Sequence, residues 1–238
     1  EIGSGLVGSE MCIRDRPTLL TSLSVPLSRY IFNSVFVAVV TVVVHIFIAS
    51  MASFVLAKSD LKGRNILYWV VQFALLYNAY TLAIPQYLIF TKMGIIDTLL
   101  VYILPYLPST LGVFLMKQYM DDSVPVALLE AARIDGAGYF SIYFRIVMPL
   151  IKPAWLTLLL FAFRDMWSLQ PTGTIFSEEM KTLPYVLSQV VSGGLARAGS
   201  AMAATVLMMI PPIIVYLISQ SNAVSYTHLR AHETGAYL

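Results

Sequence analysis

Cysteine and charge are both scarce in this chain of 238 residues. Cys12 is the only cysteine, which excludes a framework of disulfide bonds within the chain. Asp, Glu, Lys and Arg make up 12% of the residues, whereas soluble domains usually carry about 25%. The formal net charge of +2 is small and dispersed, so nucleic-acid binding is not indicated. The shortage of charge argues against an ordinary soluble domain.

Sequence motifs for nucleotide binding, metal binding and catalysis are missing as well. No segment fits the phosphate-binding pattern G-x-x-x-x-G-K-[ST], so the chain cannot hydrolyse ATP by itself. His228 and His232 have the spacing of a metal pair on a helix, but no third ligand accompanies them, and we predict no metal site. No cluster of His, Asp and Ser indicates a membrane enzyme. We therefore predict neither an enzyme nor a chain with its own cofactor.

Apolar residues are abundant and are gathered into long runs. They make up 58% of the chain, and the mean hydropathy is +0.76. A helix that crosses a membrane needs about 20 apolar residues. We therefore predict an all-α integral membrane protein with five spans, at residues 35–57, 66–90, 98–116, 149–168 and 199–220.

The two ends of the chain differ from the rest. Residues 1–16 and 225–238 are polar and unpatterned, and they resemble peptides translated from sequencing-adapter read-through. We expect both segments to be foreign extensions. The predicted transmembrane domain then covers residues 17–224.

Basic residues predict the orientation of the spans, because cytoplasmic loops carry an excess of Lys and Arg. Two loops that fall on the same side hold seven cations, against three in the loops on the other side. The seven are Lys58, Lys62, Arg64, Lys117, Arg133, Arg145 and Lys152, and the three are Lys92, Lys181 and Arg197. The loops with seven cations are therefore predicted to be cytoplasmic, in a multi-pass membrane protein.

The longest hydrophilic element is the predicted cytoplasmic loop at residues 118–148. Asp122 or Ser123 is a good N-cap, Pro125 suits a first turn, and Gly136 suits the end of a short helix. A second short helix is expected to follow. Its aromatic residues form stripes at helical spacing, with Tyr139, Tyr143 and Val147 in one and Phe140 and Phe144 in another.

Seven residues of this loop stand at a long and specific spacing. They are Glu130, Ala131, Ala132, Gly136, Ile146, Met148 and Pro149. The spacing resembles the EAA loop of ABC importer permeases, EAA-x3-G-x9-I-x-L-P, from which only Met148 departs by replacing Leu. Four further segments are similar to permeases of the MalG-like carbohydrate type, so the resemblance covers about residues 17–224. These segments are Asn33-Ser34, Leu104-Pro105-Tyr106, Gly112 to Leu115, and Thr182-Leu183-Pro184.

The resemblance implies the type I fold of ABC importer permeases and a mechanical role. The loop would dock as a coupling helix in a cleft of a separate ATPase subunit, through Glu130, Ala131, Ala132, Asp135, Gly136, Ile146 and Pro149. The implied partners are an ATPase dimer that uses ATP and Mg, a second permease subunit, and an extracytoplasmic binding protein that delivers a sugar or oligosaccharide. Such permeases usually have six spans, so we expect a further span before Pro17 in the native protein.

Other interpretations of the loop and of the transporter class stay open at this stage. A helix lying on the bilayer surface would favour Lys and Arg on its polar face, whereas this one carries Asp121, Asp122, Glu130 and Asp135. A permease for a solute other than a sugar would share the same loop. A proton-coupled secondary transporter would need a buried relay, and only His45 lies deep in an apolar run.

Polar residues within the predicted spans are candidates for the solute path, because they are expensive in a membrane. Arg164, Asp165 and Trp167 form one group, in which Trp167 would stack on a sugar ring. The alternative is an interfacial anchor with a snorkelling Arg164. Gln72, Asn78 and Tyr80 form the other group, for which hydrogen bonds between helices are an equal explanation.

Overall fold

The structure is a computed structural model that describes residues 26–59, 61–76, 79–170, 173–191, 202, 205–206 and 208–219. The regular structure within these ranges is entirely helical. The chain divides into two compact units. The first unit comprises Glu1–Val40, Tyr87–Leu104 and Phe163–Leu217, and the second comprises Thr41–Gln86, Pro105–Ala162 and Ile218–Leu238. The predicted foreign ends, residues 1–16 and 225–238, lie outside the described residues.

Helix α1, Leu27–Lys58, is the longest element, with 32 residues. It follows Pro26 and contains neither glycine nor proline. At about 1.5 Å per residue, 32 residues reach about 48 Å, which exceeds the roughly 30 Å of a bilayer core. Ser34 and Ser53 hydrogen-bond to carbonyls four residues earlier in the helix, so their hydroxyls are satisfied inside an apolar helix. The first predicted span is therefore a single continuous helix.

The second predicted span, residues 66–90, is not one helix. It is divided into α2 (Arg64–Leu75), a 3-10 turn (Ala79–Leu82) and α3 (Ala83–Met93). Pro85 lies in the first turn of α3 and has no N–H to donate to the carbonyl four residues earlier. An apolar run therefore does not guarantee an uninterrupted helix.

The third and fourth predicted spans are bent. Helix α4 (Leu100–Ile103) with its 3-10 turn (Leu104–Tyr106) meets α5 (Thr110–Ser123) at 42°, where Pro105 and Pro108 interrupt the run. After α6 (Val126–Ile134), the segment Tyr139–Leu150 meets α9 (Lys152–Trp167) at 78°. That segment consists of α7 (Tyr139–Ile142), a π-helical turn (Tyr143–Val147) and α8 (Met148–Leu150).

In the described part of the chain, one helix is long and apolar enough to cross a membrane, and up to three spans result if each bent pair counts as one. Helix α10 (Leu183–Val191) and a shorter apolar helix, α11 (Met208–Ser219), complete the helices. Turns and prolines thus divide the second and third predicted spans, whereas the fourth is one helix from Lys152 onward. Of the fifth predicted span, α11 is one helix, and residues 199–201, 203–204, 207 and 220 lie outside the described residues.

Each unit has its own buried cluster. In the first unit, Tyr30, Leu183, Val186 and Leu187 pack together. In the second unit, six residues of the predicted cytoplasmic loop and its flanks form the core, namely Met120, Val124, Leu129, Ile142, Val147 and Ile151. The loop is therefore a packed element and not a loose connector.

Candidate coupling and solute-path sites

Helix α6 carries the Glu-Ala-Ala part of the loop, and its two faces differ. Leu129, only 4% exposed, lies in the core of the second unit, and Ala132 packs against the same core. Ala127, Glu130 and Ala131 are exposed. The helix is therefore anchored by one face and presents small side chains and a carboxylate on the other.

Ile134 is the last residue of α6, and its side chain is 87% exposed. An isoleucine this exposed covers no core of its own chain. It follows Ala127 and Ala131 at the helical spacing i, i+4, i+7, as the sequence pattern predicts. We refer to Ala127, Ala131 and Ile134 as the outer face of α6.

Gly136 ends α6 in a conformation that suits glycine. Its φ is 83°, in the left-handed region. Its N–H donates to the carbonyl of Arg133 (3.0 Å), and the N–H of Ala137 donates to the carbonyl of Ala132 (2.9 Å). These two bonds form a Schellman motif, in which Asp135 is the exposed C-cap. The predicted stop at Gly136 thus has a defined geometry that fixes the direction of the following chain.

The second half of the loop departs from the predicted aromatic stripes. Tyr143 and Val147 are buried, whereas Tyr139, Phe140 and Phe144 are exposed. The π-helical turn at Tyr143–Val147 is the physical reason, because its wider repeat shifts the positions that an α-helical spacing of four residues would align. Ile146 is half-buried in this turn, and Pro149 is exposed just after it.

Tyr143 links the loop to α1 within the second unit. Its hydroxyl lies 2.6 Å from the hydroxyl of Ser50, and its ring lies 5.7 Å from that of Phe54. Val147 and Ile151 next to it are fully buried. The loop and the end of α1 are therefore joined by a close-packed contact, and such cores do not deform freely.

His45, the one ionisable residue deep in α1, bonds to two residues of the second unit. Its Nδ1 atom lies 2.7 Å from the carbonyl oxygen of Tyr106, and its Nε2 atom lies 2.7 Å from Oγ of Ser109. Both ring nitrogens of His45 therefore have hydrogen-bond partners in the segment that joins α4 to α5.

The candidates for the solute path lie in different settings. Gln72 is half-buried on α2, and Arg164 and Asp165 are exposed near the end of α9. Trp167 is only 6% exposed, stacks on Phe163 at 5.9 Å, and donates from Nε1 to the carbonyl of Met208 at 3.0 Å. Its ring therefore already has partners inside the first unit.

The remaining two candidates, Asn78 and the side chain of Tyr80, lie outside the described part of the chain. A role in the solute path stays a prediction for all six residues.

Sequence reasoning missed a set of contacts between two distant segments of the first unit. Nδ2 of Asn33 donates to the carbonyls of Glu179 (2.7 Å) and Lys181 (3.1 Å), and the N–H of Leu183 donates to Oγ of Ser34 (2.7 Å). The two segments both carry the resemblance to sugar permeases, which is the only signal that could have paired them. The start of α1 is thereby tied to the start of α10.

A carboxylate stabilises the same region. Asp97, with φ 62°, accepts hydrogen bonds from the N–H groups of Phe176 (3.0 Å) and Ser177 (2.8 Å) and from the Ser177 hydroxyl. Hydrogen bonds from Ser177 lower the pKa of Asp97 below its usual range, and the bond from Phe176 adds to the effect. We call Asp97, Phe176 and Ser177 the carboxylate clasp.

Comparison with known proteins decides the family. Residues 45–225 match the family described as "Binding-protein-dependent transport system inner membrane component". The chain belongs to this family. It is therefore a transport permease component of the inner membrane and not itself an enzyme. The predicted class, an all-α ABC importer permease, is confirmed.

Individual relatives agree with the family match. The chain is 32% identical over 199 residues to the arabinooligosaccharides transport system permease protein AraQ of Bacillus subtilis, a match that covers 83% of this chain and 70% of AraQ. It is 28% identical over 229 residues to the polygalacturonan/rhamnogalacturonan transport system permease protein YtcP of the same organism. That match covers 85% of this chain and 79% of YtcP.

A solved structure supports the fold. It is the crystal structure of a bacterial ABC transporter involved in the import of the acidic polysaccharide alginate, and one of its chains matches with a TM-score of 0.67 and 26% identity. The match covers 81% of this chain and 74% of that chain.

Proposed function

We propose that this chain is the permease subunit of an ATP-driven importer for a sugar or oligosaccharide. The observation that carries the proposal is the outer face of α6, an exposed apolar surface on a helix held by a buried face and a Schellman motif. The solute class is supported by the relatives, whose names include arabinooligosaccharides and polygalacturonan/rhamnogalacturonan, and by the alginate importer.

The coupling step follows from how the loop is held. The outer face of α6 docks in a cleft of the ATPase subunit, where Ile134 is desolvated and Glu130 accepts charge-assisted hydrogen bonds. Closure of the ATPase dimer moves α6, and the core around Leu129 and Tyr143 carries the displacement to α1. The ATPase subunit binds ATP and Mg, which supply the energy.

Two further partners complete the importer in this proposal. A second permease subunit forms the other half of the translocation path, and an extracytoplasmic binding protein delivers the solute. Arg164, Asp165, Trp167, Gln72, Asn78 and Tyr80 are the residues proposed to line that path.

The proposal is tested in proteoliposomes that contain this chain with its second permease and ATPase subunits. Gly136→Pro cannot adopt φ 83° and loses the N–H that bonds to Arg133. We expect it to abolish binding-protein-stimulated ATP hydrolysis and oligosaccharide uptake. Gly138→Ala is the matched control, since Gly138 has φ −71° and open space around it.

The proposal fails if Gly136→Pro assembles with the ATPase subunit and couples hydrolysis to uptake as the wild type does. It also fails if uptake by the wild type needs a proton gradient and not ATP.

A further inference from the structure

An apolar groove lies beside the coupling loop in the second unit. Its volume is about 280 Å³, and its walls come from the end of α1 and the start of the second half of the loop. The lining residues are Met51, Phe54, Val55, Lys58, Ser59, Tyr139, Phe140 and Tyr143. No acidic side chain is among these eight residues, and none of them belongs to the outer face of α6.

Cations border this groove on both walls. Lys58 is itself a lining residue. Arg64 donates from Nη1 to the carbonyl of Ser59 (3.0 Å), and the Arg133 guanidinium lies 5.1 Å from the ring centre of Tyr139. Three positive groups therefore surround the mouth of an apolar cavity. This arrangement is complementary to a ligand with an anionic head and an alkyl tail.

Two of the polar lining side chains already have hydrogen-bond partners. The hydroxyl of Ser59 donates to the carbonyl of Val55, and that of Tyr143 bonds to Ser50. Within the described residues, which do not include Asp60, Lys58 takes part in no ion pair. Its ammonium is thus the lining group that meets an anion most directly.

An exposed apolar track leads from the groove along α1. Phe47, Met51 and Val55 follow one another at a spacing of four residues, which places them on one face of the helix. Phe47 and Val55 are exposed, and Phe47 stacks on the exposed Phe144 at 6.4 Å. Because α1 is long and apolar enough to cross a membrane, this exposed apolar track offers a surface on which an acyl chain can lie.

We propose that this groove binds one anionic phospholipid, with its phosphate held by Lys58, Arg64 and Arg133 and one acyl chain lying in the groove and along Phe47. The lipid would fill the space between α1 and the segment that connects α6 to the membrane. This site is separate from the solute path and from the outer face of α6.

The test uses the complete transporter in nanodiscs of phosphatidylcholine that contain phosphatidylglycerol with a photoactivatable acyl chain. After illumination, we expect labelled peptides from residues 51–59 and 139–143, and unlabelled phosphatidylglycerol should suppress the labelling while phosphatidylcholine does not. Lys58→Gln removes one cation at the membrane surface and should weaken the labelling about fivefold. Lys62→Gln is the matched control, because it removes an exposed cation from the same loop that does not line the groove.

A second variant tests the groove without a change in charge. Val55→Trp fills the cavity and should abolish the labelling while the transporter still assembles in size-exclusion chromatography. The proposal is overturned if phosphatidylcholine competes equally, or if Lys58→Gln and Lys62→Gln label alike. It is also overturned if labelling occurs only after removal of the ATPase subunit, which would make the groove a protein interface. Because the readout is lipid labelling, its failure is distinguishable from a failure of uptake.

Discussion

The side chains of Ser109 and His45 meet through a hydrogen bond of 2.7 Å between Oγ and Nε2. The other ring nitrogen, Nδ1, lies 2.7 Å from the carbonyl oxygen of Tyr106, which can only accept a hydrogen bond, so Nδ1 carries the proton. In the neutral ring Nε2 then accepts from the Ser109 hydroxyl, which in turn accepts from the N–H of Gly112 at 3.1 Å. The chain of bonds assigns His45 a structural role, in contrast to the relay of a proton-coupled transporter.

Ser109→Ala removes two of these bonds at once. The lost hydroxyl is both the donor to Nε2 of buried His45 and the N-cap acceptor at the start of α5. We expect a loss of about 1–3 kcal/mol in the free energy of unfolding. Thermal unfolding of the purified transporter measures the change. Ser59→Ala is the control, since its exposed hydroxyl donates to the carbonyl of Val55 and caps no helix start, and equal melting temperatures for the two variants would contradict the prediction.

Gly112→Ala tests a close approach of helices in the second unit. A Cβ atom at this position would come closest to Oγ of Ser109, and it would lie 2.7 Å from Cδ2 of Leu158 and 3.1 Å from Cβ of Ala49. Such overpacking costs about 1–3 kcal/mol. We expect a lower melting temperature, partly restored by adding Leu158→Ala, while Gly138→Ala melts as the wild type does because nothing lies within 4 Å of its Cβ position. A melting temperature of Gly112→Ala equal to that of the wild type would show that the steric explanation is wrong.

Two substitutions on α6 separate coupling from stability. Ile134→Gln alters a side chain that is 87% exposed, so the free energy of unfolding should change by no more than about 0.5 kcal/mol. ATPase-coupled uptake should nevertheless fall about tenfold, as expected for a residue that contributes about 1.4 kcal/mol to an interface. Leu129→Ala, at a position only 4% exposed, should instead lower the free energy of unfolding by about 2–5 kcal/mol. Normal uptake by Ile134→Gln would show that Ile134 is not part of the docking surface.

The carboxylate clasp predicts a dependence on pH. The pKa of Asp97 is lowered in the folded state by hydrogen bonds from Ser177 and Phe176. The clasp is therefore fully formed above the ordinary aspartate pKa of about 4, and its stabilisation is lost as the pH falls through the lowered value.

Amide hydrogen exchange at Phe176 and Ser177, corrected for the intrinsic rate at each pH, measures this opening. Protection should persist at neutral pH and disappear in acid in the wild type. Asp97→Asn keeps a residue that tolerates a positive φ, but it should show weaker protection that does not depend on pH. If Asp97→Asn loses protection in acid over the same pH range as the wild type, the group that titrates is not Asp97.

Local features of the coupling loop could be predicted because their causes lie close together in the chain. The end of α6 at Gly136 depends on one residue that accepts a left-handed φ, and the outer face follows from the helical repeat of Ala127, Ala131 and Ile134. The aromatic stripes were predicted less well. They assume an α-helical repeat, and a π-helical turn needs the surrounding core to hold it.

By itself, the sequence determined the membrane character of the protein, the presence of the EAA loop and the family to which that loop points, because hydropathy and residue spacing are properties of short segments. Only the tertiary structure decided that His45 pairs with Ser109, that Asn33 contacts Lys181, and that Ala132 packs inward while Ala131 stays exposed. These outcomes depend on which distant helices meet. The groove at Lys58 also depends on which distant segments meet, because its two walls are at least 80 residues apart in the chain, from Ser59 to Tyr139.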